Sequence, residues 1–223
     1  MSTPPVAEVS PAWADYLDLD NDVKPYLQIP PTDTTRDVAL QMYLDMACTW
    51  TQSYLSRPIA PTTFFRRFSG WSNFTGAYIT LPYYPVLEMV SVVEYWGLNG
   101  PQVLQIQTPE NQAPGPQVYQ VDWLQGYLIR TFSGLIQRPW FPGSNNIEVT
   151  WVAGYDPIPP DIKIATLELI AYWWRSTQQA SRSRAVGAAG SAGFGSDEHN
   201  PLWPGIPNRV TTLLETYLQF GVG

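Results

Sequence analysis

Few residues of this 223-residue sequence have the types and spacing that catalysis or metal binding requires. The single histidine, His199, follows Asp197 and Glu198 in a glycine-rich stretch, and the three form the only local cluster of possible metal ligands. Isolated triplets of this kind are usually solvated, so we predict no metal site. Glu88 and Glu94 share one predicted strand face about 20 Å apart, which is too far for the carboxylate pair of a glycosidase.

Nucleophilic and nucleotide-binding motifs are also missing from the sequence. It has no P-loop, GxGxxG, GxSxG, HExxH or CxxC pattern. The single cysteine, Cys48, lies in a predicted helix, distant from the histidine that would activate it, and fits a reducing compartment. Arg66 and Arg67, with Trp71 and Phe74 nearby, could contact phosphate or a base, although a solvated strand edge is favoured. We therefore expect a protein that is not an enzyme and binds no cofactor.

The distribution of charge argues against ordinary recognition of DNA. The formal net charge is −7, from 19 acidic and 12 basic side chains, and the acids concentrate in the first 45 residues. Backbone recognition of DNA needs a cationic surface, whereas an acidic surface is compatible with DNA that slides past without sticking. No apolar run approaches 18 residues, so no transmembrane helix is predicted. The first residues also lack the pattern of a secretory signal.

Hydrophobic periodicity predicts two long helices and a set of short strands. Residues 36–55 and 162–179 have no glycine or proline, and their apolar residues recur at helical spacing. The second helix is apolar over so much of its circumference that we expect burial on two sides, one in the chain's own core and the other open to a neighbouring subunit. Between the helices, β-rich runs predict an antiparallel unit of about six strands, at residues 62–68, 77–81, 86–95, 117–121, 127–131 and 146–152.

The connections between these elements carry capping and turn signals. Asp20 or Asn21 is expected to cap a short helical turn, and Thr32 or Asp33 is expected to cap the first long helix. Residues 99–116 are rich in Gly, Pro and Asn, and this composition is typical of a mobile hairpin or loop.

Both ends of the chain are predicted to be arms. Prolines interrupt residues 1–20, which form either a free tail or an arm docked on a partner. Residues 180–205 have the composition of a flexible linker. The helix predicted at 207–220 is too short to be stable alone, so it needs a groove, on another chain or on its own. The residues expected to contact a partner are Phe194, Trp203, Val210, Leu213, Leu214, Tyr217, Leu218, Phe220, Arg182 and Arg184.

Together these elements predict an α+β protein. Its core has two main helices and an inserted small antiparallel β unit, with an extended N-terminal arm and a C-terminal arm that ends in a short helix. The expected N-terminal arm is 1–20, the core is 21–179, and the linker with its docking helix is 180–223. Within the core, helices in 21–55 and 161–179 flank the β insert at 56–156.

The order of helix, β insert and closing helix resembles the head-to-tail connector, or adaptor, proteins of long-tailed bacteriophages. Three stretches carry the resemblance, and together they span roughly residues 20–178. They are DVKPYLQIPPTDTTRDVALQMYLDMACTWTQSYLSRPI, ITLPYYPVLEMVSVVEYWG and IEVTWVAGYDPIPPDIKIATLELIAYWWRS. The tail after residue 179 is longer than in minimal members of that family.

The resemblance implies a structural virion protein of the neck between head and tail, assembled in the host cytoplasm. It implies a homo-oligomeric ring, usually a dodecamer, that joins the capsid portal protein to a stopper or tail-completion protein. Double-stranded DNA would pass through the lumen without specific binding, and no membrane is involved. The alternative is a β-sandwich binding module with exposed aromatic residues, such as a carbohydrate-binding domain. That alternative predicts a self-sufficient monomer and does not explain the two flanking helices.

Overall fold

The computed structural model of the chain describes residues 16–70, 78–107, 117–132, 136–186, 199–200 and 203–218. The chain divides into two compact units. The described residues of 60–156 form a β unit, and those of 13–59 and 157–223 form a helical unit. Helices and small sheets occur in one chain, which confirms the predicted α+β class.

The β unit consists of short strands arranged in two sheets. Its described strands are β1 (Thr62–Phe68), β2 (Tyr78–Thr80), β3 (Val86–Tyr95), β4 (Pro101–Val103), β5 (Gln105–Ile106), β6 (Val118–Asp122), β7 (Tyr127–Phe132), β8 (Ile136–Gln137) and β9 (Ile147–Ala153). One sheet has the order β1–β9–β3–β4, and its neighbouring strands are antiparallel. The other has the order β2–β7–β6–β5, with β5 parallel to β6 and with β8 also paired to β7.

The strands predicted from hydrophobic periodicity are confirmed. All six predicted runs correspond to strands of the structure, and each boundary agrees to within one residue. The first part of the segment expected as a mobile hairpin or loop forms two short strands: β4 pairs antiparallel with β3, as in a hairpin, and β5 pairs with β6. Residues 108–116, the rest of that segment, lie outside the described residues.

Side chains from both sheets of the β unit meet in one core. Phe64 of β1 and Trp151 of β9 are buried there, with ring centroids 5.6 Å apart. Ile79, Tyr119 and Leu128 enter the same core from the second sheet. Burial raises the pKa of the Tyr119 hydroxyl to about 12, because the apolar surroundings disfavour the phenolate.

The helical unit contains long and short helices. In chain order they are a π-helical turn (Leu19–Val23), α1 (Lys24–Tyr26), α2 (Asp37–Leu55), α3 (Pro160–Val186) and α4 (Asn208–Glu215). α2 has no glycine or proline, and it ends where Ser56 adopts the left-handed conformation with φ 54°. A two-stranded antiparallel ribbon, β10 (His199–Asn200) with β11 (Trp203–Pro207), precedes α4.

The helix caps of this unit differ from the sequence expectation. Asp18 caps the π-helical turn, because its side chain accepts hydrogen bonds from the backbone N–H groups of Asp20 and Asn21, the two residues expected to be the cap. Arg36 occupies the N-cap position of α2 without a side-chain capping bond. Asp33 instead accepts hydrogen bonds from the backbone and hydroxyl of the residue two positions later.

Helix α3 is longer than predicted. It continues to Val186, seven residues into the segment expected as a flexible linker. Residues 180–186 contain only Ala, Ser, Arg and Val, and the first helix-breaking residue is Gly187. The helix therefore persists until a glycine is reached. Residues 187–198 lie outside the described residues.

The core of the helical unit forms around α3. Leu40 and Leu44 of α2 are buried, as are Ala165 and Leu169 of α3, and the two helices contact each other. α3 also contacts α4 of the same chain. Ile164, on the wider apolar sector of α3, is 39% exposed, so burial of that sector by a neighbouring subunit stays a prediction.

Residues at the end of the predicted N-terminal arm belong to this core. Tyr16 and Leu17 are buried. The Tyr16 hydroxyl lies 2.5 Å from Oγ1 of Thr166, which is in turn 3.2 Å from Oγ1 of Thr51. These hydroxyl groups satisfy one another inside the unit. The remainder of the predicted arm, residues 1–15, lies outside the described residues.

Candidate assembly surfaces

The described residues bring no metal-binding cluster together. No group of three or more His, Cys, Asp or Glu side chains that could hold a metal ion occurs among them. His199 lies in β10, whereas Asp197 and Glu198 lie outside the described residues. Cys48 is buried within α2. Of the helices in the described part of the chain, none is long and apolar enough to cross a membrane.

Glu88 and Glu94 do not share a face of β3, contrary to expectation. Glu88 is exposed, whereas Glu94 is fully buried. The register of β3 against β9 shifts between Val86 and Glu88, and again between Met89 and Ser91. Irregularities of this kind change which residues point to the core. The even spacing of the two glutamates therefore does not give them a common face.

Glu94 forms a buried ion pair with Arg130 that joins the two sheets of the β unit. Its Oε2 accepts hydrogen bonds from Nη2 of Arg130 at 3.2 Å and from Nε1 of Trp96 at 2.8 Å. Its Oε1 accepts one from the backbone N–H of Phe141 at 2.6 Å. Nη1 of Arg130 donates to the carbonyl oxygen of Val118 at 2.6 Å. Both charges are thus hydrogen-bonded on several sides.

This buried ion pair links the sheets and is closed to any substrate, since neither Glu94 nor Arg130 has measurable solvent exposure. Burial lowers the pKa of the Arg130 guanidinium, and the attraction of Glu94 opposes that shift. The guanidinium carbon also lies 5.9 Å from the centre of the Trp140 ring. Sequence reasoning missed this pair, although Arg130 follows the apolar Leu128 by two residues and so shares its inward face.

The adjacent arginines of β1 have ordinary neighbours at the sheet surface. Arg67 stands opposite Glu148 of β9, and its Nε and Nη2 donate to Oε1 of that residue at 2.9 and 2.5 Å. The guanidinium carbon of Arg66 lies 5.7 Å from the centre of the Phe68 ring. The aromatic residues at positions 71 and 74 lie outside the described residues. This geometry favours the interpretation as a solvated strand over a phosphate site.

A buried lysine holds the turn before α2 in place. Nζ of Lys24 lies 2.7 Å from Oδ1 of Asp20 and 2.8 Å from Oδ1 of Asp37, and it donates to the carbonyl oxygen of Pro31 at 3.2 Å. Hydrogen bonds to the two carboxylates raise the pKa of Lys24 above its ordinary value of 10.5. The cation therefore connects α1 to the first turn of α2.

Replacing this lysine with methionine (Lys24→Met) is expected to lower the thermal midpoint of the helical unit by several degrees. The two carboxylates would lose their shared cation, and methionine cannot donate to Pro31. Because the folded pKa of Lys24 is raised, its contribution is present below pH 10.5 and is lost as the pH rises through the folded pKa. Thermal unfolding followed by circular dichroism should show the same difference in midpoint between the wild type and Lys24→Met at pH 7 and at pH 9. Lys163→Met, at a partly exposed position, is the control, and equal midpoints for the two variants would contradict this role.

Exposed apolar side chains lie on both units. On the helical unit, Val38, Met42 and Met46 form a row along α2, which we call the α2 stripe, with exposed fractions of 82%, 61% and 52%. On the β unit, Leu98 between β3 and β4 is fully exposed, and Leu124 between β6 and β7 is 77% exposed. Contiguous apolar surface on soluble proteins often marks a site of interaction. The α2 stripe extends over two turns of one helix, whereas Leu98 and Leu124 are single residues in separate connections.

The predicted docking helix packs in a groove of its own chain. Val210 and Leu214 of α4 have no measurable exposure, and α4 contacts α3. The Tyr217 hydroxyl, just after α4, donates to Oδ2 of Asp161 in the first turn of α3 at 3.4 Å. Of the two grooves considered from the sequence, the structure therefore contains the intramolecular one. Val210 and Leu214 face the interior of the helical unit and are not open to a partner.

The other residues expected to contact a partner have varied positions. Leu213, Tyr217 and Leu218 are half-buried, so part of each side chain is open to solvent, and their contact with a partner stays a prediction. The backbone of Trp203 is in β11, Arg182 and Arg184 are in the last two turns of α3, and Phe194 and Phe220 lie outside the described residues.

Comparisons with known proteins find similarity at the level of the fold. No protein-family model matches the sequence, and no curated protein matches it. A chain in the neck of an empty gene transfer agent particle, computed with C6 symmetry, matches with a TM-score of 0.56 at 18% identity, covering 96% of this chain and 95% of that one. A chain in the virion of a native gene transfer agent particle matches with a TM-score of 0.54 at 19% identity, with the same coverage. The chain therefore shares its fold with these two particle components over almost its whole length.

Proposed function

We propose that the chain is a structural protein in the neck of a phage-like virion. Copies of it form a ring, of twelve subunits, between the capsid portal protein and a stopper or tail-completion protein. Packaged double-stranded DNA passes through the ring. The protein contributes contact surfaces and a passage, and it performs no catalysis.

The observation that carries this proposal is the extent of the fold similarity. The match to the neck chain of a gene transfer agent particle leaves out only 4% of this chain and 5% of the other, so both units and their order are shared. A β-sandwich binding module would match only the β unit. The structure of that neck was computed with C6 rotational symmetry, which is compatible with a ring of identical copies.

Binding to the portal protein encoded by the same genome tests the proposed function. Tagged full-length chain should capture that portal protein, and electron microscopy of the complex should show a second ring coaxial with the portal ring. Capsid shell protein from the same genome is the control, and it should not be captured. A chain that binds neither the portal nor a tail-completion protein would overturn the proposal.

The purified protein is expected to bind duplex DNA weakly even at low salt. Each copy has a net charge of −7, so a ring repels phosphate overall, and binding would not gain the counterion release that drives most protein–DNA association. A gel-shift titration in low salt should show no retarded band at micromolar protein, alongside a basic DNA-binding protein as positive control. A retarded band at nanomolar protein would contradict a passage that lets DNA slide.

A further inference from the structure

The α2 stripe occupies a face of α2 that is almost free of charge. Residues at intervals of four, here Val38, Met42 and Met46, lie near one another on a helix surface. Between 37 and 55 the helix has two charged residues, Asp37 and Asp45, and both are acidic. The spacing of three residues from Met42 to Asp45 puts the second acid at the border of the stripe.

The opposite face of the same helix is already occupied. Leu40, Leu44 and Ala47 are buried in the core of the helical unit. The stripe therefore does not compete with the core for the same side chains. It spans nine residues, with about 12 Å of helix between the first and the last, which suits the centre of a helix–helix contact. Its two methionines are flexible and polarisable, and such side chains adapt to a partner surface.

The C-terminal half of α3 has the complementary charge. Between Glu168 and Asp197 the sequence contains three arginines and no acidic residue. Arg175 and Arg182 are seven residues apart, so they occupy positions on one face of α3, whereas Arg184 occupies a position on the opposite face. Arg175 is exposed. The chain therefore has an apolar surface with an acidic border on α2 and a surface with basic positions on α3.

We propose that the α2 stripe of one copy docks on the C-terminal half of α3 of a second copy, with Asp45 facing the positions of Arg175 and Arg182. The two surfaces differ, so the contact is head-to-tail, and repetition by rotation closes it into a ring. The apolar side chains provide the buried area, and the opposite charges set the orientation. The inference rests on the proposed function, because it assigns the contact between neighbouring subunits of the proposed ring.

Self-association of the purified full-length chain tests the apolar part of the contact. Met42→Lys and Met46→Lys should each weaken association at least tenfold in sedimentation velocity over a range of protein concentration. Leu98→Lys is the matched control, because it places the same charge at a fully exposed apolar position of the β unit, and it should associate like the wild type. Circular dichroism checks that each variant is folded. Unchanged association of both methionine variants, or an equal loss in the control, would overturn the proposal.

A charge exchange tests the partner surface. Asp45→Lys should weaken association, and so should the double variant Arg175→Glu/Arg182→Glu. Combining all three changes should restore part of the association, because the opposite charges then meet again in reversed order. Arg184→Glu is the control on the other face of α3, and it should have little effect. Absence of any restoration, with all variants folded, would show that the two surfaces do not meet.

Self-association tests the contact between copies, whereas portal binding tests the proposed location in the neck, so the two proposals can fail independently. A wild-type chain that stays monomeric at every concentration overturns the docking of the α2 stripe on α3 of a second copy. It leaves binding to the portal protein as the measurement of the proposed function. If portal binding is absent but self-association is intact, the proposed neck function is overturned and the contact between copies stands.

Discussion

Replacing Glu94 with glutamine (Glu94→Gln) is expected to destabilise the β unit by about 3–5 kcal/mol, the usual cost of breaking a buried ion pair from one side. The variant keeps the size of the side chain, but it leaves the Arg130 guanidinium buried without a counter-charge. Urea unfolding followed by tryptophan fluorescence measures the loss, since Trp140 and Trp151 report on this core.

A double-mutant cycle separates this ion pair from its surroundings. Arg130→Met should also cost several kcal/mol, whereas the double variant should cost less than the sum, because it removes both charges together. Glu148→Gln is the matched control. It breaks a Glu–Arg pair of the same β unit in which the Arg67 side chain is 46% exposed, so we expect a loss of about 1 kcal/mol or less. Equal losses for the two glutamine variants would contradict a special role of the buried pair.

Replacing Leu214 with alanine (Leu214→Ala) is expected to destabilise the helical unit by about 2–5 kcal/mol, because it opens a cavity between α4 and α3. Leu214 has no measurable exposure, and α4 contacts α3. Removing residues 203–223 should have a larger effect, since it uncovers the side of α3 that α4 covers. Circular dichroism of the helical signal in urea measures both.

The neighbouring leucine provides the control for this prediction. Leu213→Ala makes the same chemical change at a half-buried position, and it should cost clearly less than Leu214→Ala. If instead the truncated chain is as stable as the full-length chain, α4 contributes nothing to its own helical unit. Its apolar side would then be available to another chain, as the sequence alone also allowed.

Elements with a clear hydrophobic period could be predicted from the sequence. The sequence of β9 alternates between apolar and polar residues, and that of β3 is rich in apolar residues, with turn residues on either side of each strand. α2 contains no glycine or proline from Asp37 to Leu55. Such local patterns depend only on neighbouring residues. The seven extra residues of α3 were missed because Ala, Ser and Arg before a glycine-rich stretch have the composition of a linker as well as of a helix end.

Features that depend on distant residues could not be predicted. The burial of Glu94 requires Arg130, which is 36 residues away, and irregularities of β3 that no local pattern marks. The groove of α4 depends on α3, so a short amphipathic helix alone could not show whether it docks within the chain. Val38, Met42 and Met46 were not identified from the sequence, and only the structure shows that this side of α2 is left exposed.

The position of the protein in an assembled particle tests the proposed neck function. The chain carries a short tag in the genome that encodes it, and gold-labelled antibody locates the tag on intact particles in the electron microscope. We expect label at the junction of head and tail, in rings between the portal and the tail. Label on the capsid shell or at the tail tip, or particles free of the protein, would contradict the proposed function.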